Sequence, residues 1–193
     1  TLERFLGRHH EFVKLSGARG VQYDMSSYAQ QSVDMYCKLS GATKLRKAST
    51  PFCADGTLLP EDDETQGELS KHACAILMKL LWLGRLARPD LIKAISDLAS
   101  HIQCWSRNDD KLLYRLVCYV NDTVTLKFRG HVGDPLSKLK LRLYVDADFA
   151  GDRLDAKSSS GALLVLVGPN TYYPIQWSSR KQTSVSRSTT ESE

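Results

Sequence analysis

The chain has 193 residues, 42% of them apolar and 25% charged, with a formal net charge of +4 and a pI of about 8.8. That is enough apolar material to bury a core in one or two domains, and too much for a disordered chain. The charge excess is compatible with a polyanionic partner without demanding one. No run approaches the roughly 18 apolar residues of a membrane span, and the first residues lack a signal-peptide pattern. Five cysteines without a Cys-x-x-Cys pair suit free thiols in a reducing compartment.

In chain order, Arg4 to Lys14 and Gly20 to Met25 read as two strands joined by a turn at Ser16–Gly20. Ser26 and Ser27 can cap a helix carrying Tyr28, Val33, Met35 and Tyr36 and ending before Gly41. A basic cluster at Lys44, Arg46 and Lys47 precedes Ser49-Thr-Pro51. Residues 54–68 are polar and acidic, with Pro60 and Glu61-Asp-Asp-Glu64, and read as an exposed linker.

Three helical stripes follow: Ala73, Ile76, Leu77, Leu80, Leu81 and Gly84; then Leu91, Ile95, Leu98 and Ile102; then Leu112, Leu113, Leu116, Val117 and Val120. Pro89 suits a first helical turn and Asn108 a cap. Thr123 to Phe128 reads as a strand and Gly130 to Lys140 as a linker. Leu141 to Ala150, Gly161 to Val167 and Tyr172 to Ser178 read as three antiparallel strands. Ser188 with Glu191, and Thr190 with Glu193, carry capping-box spacing for a further helix.

His72, Cys74, His101 and Cys104 make a zinc set on paper, but residues two apart do not share a helix face, so packed or surface side chains are expected instead. Tyr144-Val-Asp-Ala-Asp-Phe-Ala-Gly151 is more informative. On a strand Asp146 and Asp148 share one face, opposite Val145, Ala147 and Phe149. Such a pair is either two solvated acids at a strand end or a source of hard oxygen ligands for a divalent cation. Glu193, at the start of a helix after the third strand, could bring another carboxylate. Two-metal hydrolysis of a phosphodiester needs several, to hold ions about 3.5–4 Å apart. The basic residues Lys157, Arg180, Lys181 and Arg187, with Trp177 and Gln182 nearby, form a candidate set of phosphate contacts.

Four blocks in order, at 144–151, Lys157-Ser-Ser-Ser-Gly161, Trp177-Ser-Ser-Arg-Lys-Gln182 and Ser188-Thr-Thr-Glu-Ser-Glu193, resemble the ribonuclease H domain of copia-type LTR retrotransposon Pol polyproteins. Upstream, Arg85-Leu-Ala-Arg-Pro-Asp90 is similar to the family's Thr-Arg-Pro-Asp-Ile block, and residues 113–130 are similar to the segment joining polymerase to nuclease. Phe5-Leu-Gly7 resembles the hairpin that grips the primer end. The likeness covers nearly the whole chain and is most specific at 144–193.

The resemblance implies an α+β fold: a palm-end β-hairpin and helix (1–65, with linker), a three-helix thumb-like unit (66–130) and the opening antiparallel strands of a truncated ribonuclease H-like fold (138–193). It implies Asp146 and Glu193 as catalytic metal ligands, with Asp148 a weaker match. Lys157, Arg180, Lys181, Gln182, Phe5 and Gly7 would contact nucleic acid. Mg2+ or Mn2+ would be the cofactor, and an RNA/DNA hybrid, a template-primer and the rest of the polyprotein the partners. The setting would be a cytoplasmic particle or the nucleus, with no membrane and no secretion. Any thumb-like contact would come from Lys79 or Arg85.

Phe149 stands where the family usually has Trp, and Met78 where it often has Gly. A Tyr-x-Asp-Asp motif is missing, and the first residue is Thr1, so the chain is expected to begin inside a larger polypeptide and, alone, to have neither polymerase nor nuclease activity. The rival expectations are a decayed or repurposed remnant that binds nucleic acid without catalysis, and a generic basic α+β protein, which four ordered blocks make improbable.

Overall fold

In the computed structural model, which describes residues 3–15, 17–54, 57–148 and 158–183, the chain turns back on itself within its first ten residues. Leu6 and Gly7 both have positive φ, 53° and 83°. This is the pattern of a two-residue type I′ hairpin turn, cheap for glycine and strained for leucine. The strand expected over 4–14 is therefore two antiparallel strands, β1 (Glu3–Phe5) and β2 (Arg8–Leu15). A second turn, with Gly17 at φ 74°, leads into β3 (Ala18–Asp24).

The described residues form a mixed α/β fold, with four α-helices and a seven-stranded, wholly antiparallel sheet. It divides into two compact units, Thr1–Asp24 with Lys127–Glu193, and Met25–Leu126. This division follows compactness, whereas the boundaries at 1–65, 66–130 and 138–193 follow the family resemblance.

The first unit holds the sheet. To β1–β3 it adds β4 (Phe128–Val132), β5 (Lys140–Asp148), β6 (Ser159–Gly168) and β7 (Thr171–Lys181), in the order β1-β2-β3-β4-β7-β6-β5. The strand expected at 123–128 lies later, because the preceding helix continues to Asp122 and Thr123 caps its end. Residues 130–132, expected in a linker, pair with β3 instead. The junction at β4 has a steric cause: a Cβ on Gly130 would lie 2.5 Å from the Tyr173 ring. Around it Tyr23 stacks on Phe128 with ring centroids 5.9 Å apart, Phe128 meets Trp177 at 4.9 Å, and Val165 is fully buried.

The second unit holds α1 (Ser26–Ser40), α2 (Ala73–Leu86), α3 (Ile92–Ser100) and α4 (Arg107–Asp122). The expected stripes bury Ile76, Leu77, Leu80, Leu91, Ile95, Leu98, Leu113, Leu116, Val117 and Val120. The helix at 26–40 joins this unit through Ala29, Val33 and Tyr36, so four helices pack where three were expected. Its N-cap is Met25 and has no side-chain cap. Ser106, not Asn108, caps α4: its hydroxyl and N–H face Asp109 in a reciprocal capping box. Asn108 instead donates to the Leu59 carbonyl at 2.7 Å and to Asp63 at 2.8 Å. Asp62, in a 3-10 turn at Pro60–Asp62, is buried and receives Lys111, whose ammonium holds its carboxyl below the usual range. That part of the presumed linker is thus pinned to α4.

The Arg-Pro-Asp segment has a structural role. Arg88 is buried, forks onto the Asp90 carboxylate at 2.7–3.2 Å and donates to the Thr123 carbonyl and hydroxyl at 2.9 and 2.8 Å. It ties the α2–α3 corner to the end of α4.

Candidate metal and nucleic-acid site

Asp146 lies near the end of β5, and its carboxylate is exposed. Register places Gly161 of β6 directly beside it and Ser179 of β7 beyond, while Asp148 opposes Ser159, which in turn opposes Lys181. Three separate sequence blocks thus meet at one end of β5–β6–β7. The residues in register with Asp146, Gly161 and then Ser179, are small. Among the described residues a Cβ on Gly161 would touch only the Asp146 carbonyl, at 3.7 Å, so none of them fills the strip beside the carboxylate.

The neighbouring positions are fixed by hydrogen bonds. Gln182 donates from its amide N–H to the Ser158 carbonyl and from its side chain to the Ser160 hydroxyl, both at 2.8 Å. Strand alternation puts Ser179 and Lys181 on the Asp146 face and the exposed Arg180 on the other. The two adjacent cations therefore do not face the same way. Lys157 and Glu193 lie outside the described residues, as does the side chain of Asp148. Asp146 is then the one described carboxylate of the proposed pair, and as an exposed hard oxygen donor beside an open strip it fits one ligand position of a divalent cation.

At the other edge of the sheet, Phe5 is exposed next to the Leu6–Gly7 turn, its ring 6.5 Å edge-on from His10. On α2, Met78 is exposed, and the Lys79 ammonium sits 4.4 Å over the Tyr28 ring. Of the zinc candidates, Cys74 and Cys104 are exposed and His101 is hydrogen-bonded through Nδ1 to Asp109 at 2.8 Å. Among the described residues no three His, Cys, Asp or Glu side chains gather in a metal-binding arrangement, and no helix is long and apolar enough to cross a membrane.

Sequence comparison bears on this site from another direction. The chain is 29% identical to the retrovirus-related Pol polyprotein from transposon RE2 of Arabidopsis thaliana over 99% of its own length, and 33% identical to that from transposon RE1 over 72%. These matches span 13% and 8% of the two polyproteins. Secreted RxLR effector protein 161 of Plasmopara viticola is 32% identical over 59% of the chain and 75% of that protein. No protein-family model and no solved structure matches. The chain belongs to the retrovirus-related Pol polyproteins of copia-type retrotransposons.

Proposed function

We propose that the chain spans the end of the reverse transcriptase and the first part of the ribonuclease H domain of such a polyprotein. On this reading residues 1–65 are the end of the palm with its linker, 66–130 the thumb-like helices and 138–193 the opening of a ribonuclease H-like fold. The whole polyprotein would act in RNA-templated DNA synthesis and in hydrolysis of RNA within RNA/DNA hybrids, in a cytoplasmic particle or the nucleus. The carrying observation is the meeting of the Asp146, Gly161 and Ser179 blocks at one sheet end with an open strip beside the carboxylate.

Mg2+ or Mn2+, held by Asp146 and Glu193 with Asp148 as a further candidate, would activate water and stabilise the leaving oxygen. This chain's own residues would supply position. Asp146 offers a fixed oxygen at a strand end, Gly161 and Ser179 leave the approach clear, and Lys157, Arg180, Lys181 and Gln182 are the candidate phosphate contacts. Phe5 and Gly7 are proposed to meet the primer end.

The test is cleavage of an RNA/DNA hybrid by the full-length polyprotein with Mg2+. Asp146→Asn should abolish cleavage while leaving the melting temperature unchanged, because the carboxylate is exposed. Retained cleavage would remove the assignment. The 193-residue chain alone, which contains no Tyr-x-Asp-Asp motif, should neither polymerise nor cleave. A second reading, a repurposed remnant that binds nucleic acid without catalysis, is favoured by the match that makes up three-quarters of a short protein not called a polyprotein. An open reading frame carrying the polymerase aspartates upstream and further nuclease acids downstream would decide for the first.

A further inference from the structure

The helical unit Met25–Leu126 contains a cavity of about 640 Å³, within the range of small-ligand sites. Among the described residues its lining carries five cations, Arg46, Lys47, Arg107, Lys111 and Arg115, against two carboxylates, Glu68 and Asp110, an excess of three positive charges before the Asp62 carboxylate that pairs with Arg107 and Lys111 is counted. One of those carboxylates is already engaged: Asp110 accepts from the Glu68 N–H at 2.6 Å, the Leu69 N–H at 3.3 Å and the Trp105 indole at 2.7 Å.

Three of the cations form a row. Arg107, Lys111 and Arg115 recur every four residues along α4, about 6 Å apart along its axis. Like charges at this spacing repel one another and weaken a helix. All three are held from outside the helix: Lys111 by Asp62, Arg107 by the same carboxylate at 3.7 Å, and Arg115 by the Thr50 carbonyl and hydroxyl at 2.9 and 3.1 Å. Among the described residues, Arg46 and Lys47 belong to none of the ion pairs given for this unit, which join Arg88 to Asp90, Lys93 to Asp97, His101 to Asp109, and Arg107 and Lys111 to Asp62. A pre-positioned row of cations facing two exposed ones suits a chain of phosphates more than a single anion. Tyr114 lies between Lys111 and Arg115 in sequence and also lines the cavity, offering a ring on which a base can stack.

We propose that this cavity binds a nucleotide through its phosphates, either as a free nucleoside triphosphate or as the phosphorylated end of a nucleic-acid strand. The site is separate from the Asp146 face and does not rest on the nuclease reading, since binding by the 193-residue chain requires no cleavage.

Calorimetric titration of the full chain with adenosine triphosphate, inorganic tripolyphosphate and a 5′-phosphorylated oligothymidylate tests it. The triphosphate should bind, and reversal of both exposed cations, Arg46→Glu with Lys47→Glu, should weaken it about tenfold or more. Tyr114→Ala should weaken the nucleotide and not tripolyphosphate. Oligothymidylate binding tighter than adenosine triphosphate, with the same dependence on Arg46 and Lys47, would assign the strand end; the reverse order would assign the free nucleotide. Absence of binding by all three probes, equal binding by the charge-reversed variant, or tripolyphosphate binding as tightly as a nucleotide indifferent to Tyr114→Ala would overturn the proposal. A measurement independent of any variant is hydrogen exchange of the unaltered chain, which adenosine triphosphate should slow over Arg107–Asp122. Unchanged exchange there would equally overturn it.

Discussion

The hydroxyls of Tyr23 and Tyr173, 150 residues apart in sequence, hydrogen-bond to each other beside Gly130. The contact fastens β3 to β7 across β4, where the β4–β7 pairing itself is a single register pair, His131 with Tyr172. Removing one hydroxyl leaves its buried partner unsatisfied, so Tyr173→Phe should cost about 1–2 kcal/mol in denaturant unfolding.

Burial, reinforced by the Tyr173 hydroxyl, pushes the Tyr23 phenol up to about 12 from 10.0, and burial also pushes Tyr36 up to about 12. Both groups bind their proton more tightly when folded. Their contribution is complete below pH 10, the unfolded value, and is lost as pH rises through about 12. In alkaline titrations of the unaltered chain against Tyr23→Phe and Tyr36→Phe, the tyrosinate absorbance that these two residues contribute should appear above pH 10 together with unfolding, and its appearance in a still-folded protein near pH 10 would contradict the burial.

Arg88 should resist conservative replacement. Lysine cannot reproduce the fork onto Asp90 together with the two bonds to Thr123, so Arg88→Lys should destabilise the helical unit by about 2–4 kcal/mol. A melting curve close to that of the unaltered chain would show that this corner is held by something else.

Two glycines in the sheet should behave oppositely. Gly130→Ala forces a Cβ within 2.5 Å of the Tyr173 ring and should cost about 1–3 kcal/mol, whereas Gly161→Ala meets nothing closer than 3.7 Å and should fold normally. In the full-length polyprotein, Gly161→Ala should nonetheless lower hybrid cleavage, because its methyl narrows the strip beside Asp146. Unimpaired cleavage would mean that the strip plays no part.

Asp109 collects the Ser106 N–H and hydroxyl at 2.8 and 2.9 Å and His101 Nδ1 at 2.8 Å. Ser, His and an acid invite comparison with a nucleophile set, but here the serine and histidine both face the carboxylate instead of each other. The cluster caps α4. Ser106→Ala should cost about 1 kcal/mol in thermal unfolding.

Local pattern alone located the helices and most of the strands. The 3.6-residue stripes around Leu77, Ile95 and Leu116 and the alternation after Leu141 are written into neighbouring residues, and motif order brought Asp146 into view before any coordinates. Tertiary pairing decided the rest. Within the mostly polar stretch 4–14 only Gly7 and the hairpin likeness of Phe5-Leu-Gly7 mark the fold-back at Leu6, and Gly130 could be placed in a strand only once β3 and the Tyr173 ring were beside it. The acidic stretch around Asp62 looked solvated because its partners, Lys111 and Asn108, lie more than forty residues away. Periodicity reports which face of an element is apolar. Which distant donor, ring or cation meets that face is set by long-range packing, and the open strip at Gly161 and the cation row of α4 both arise at that level.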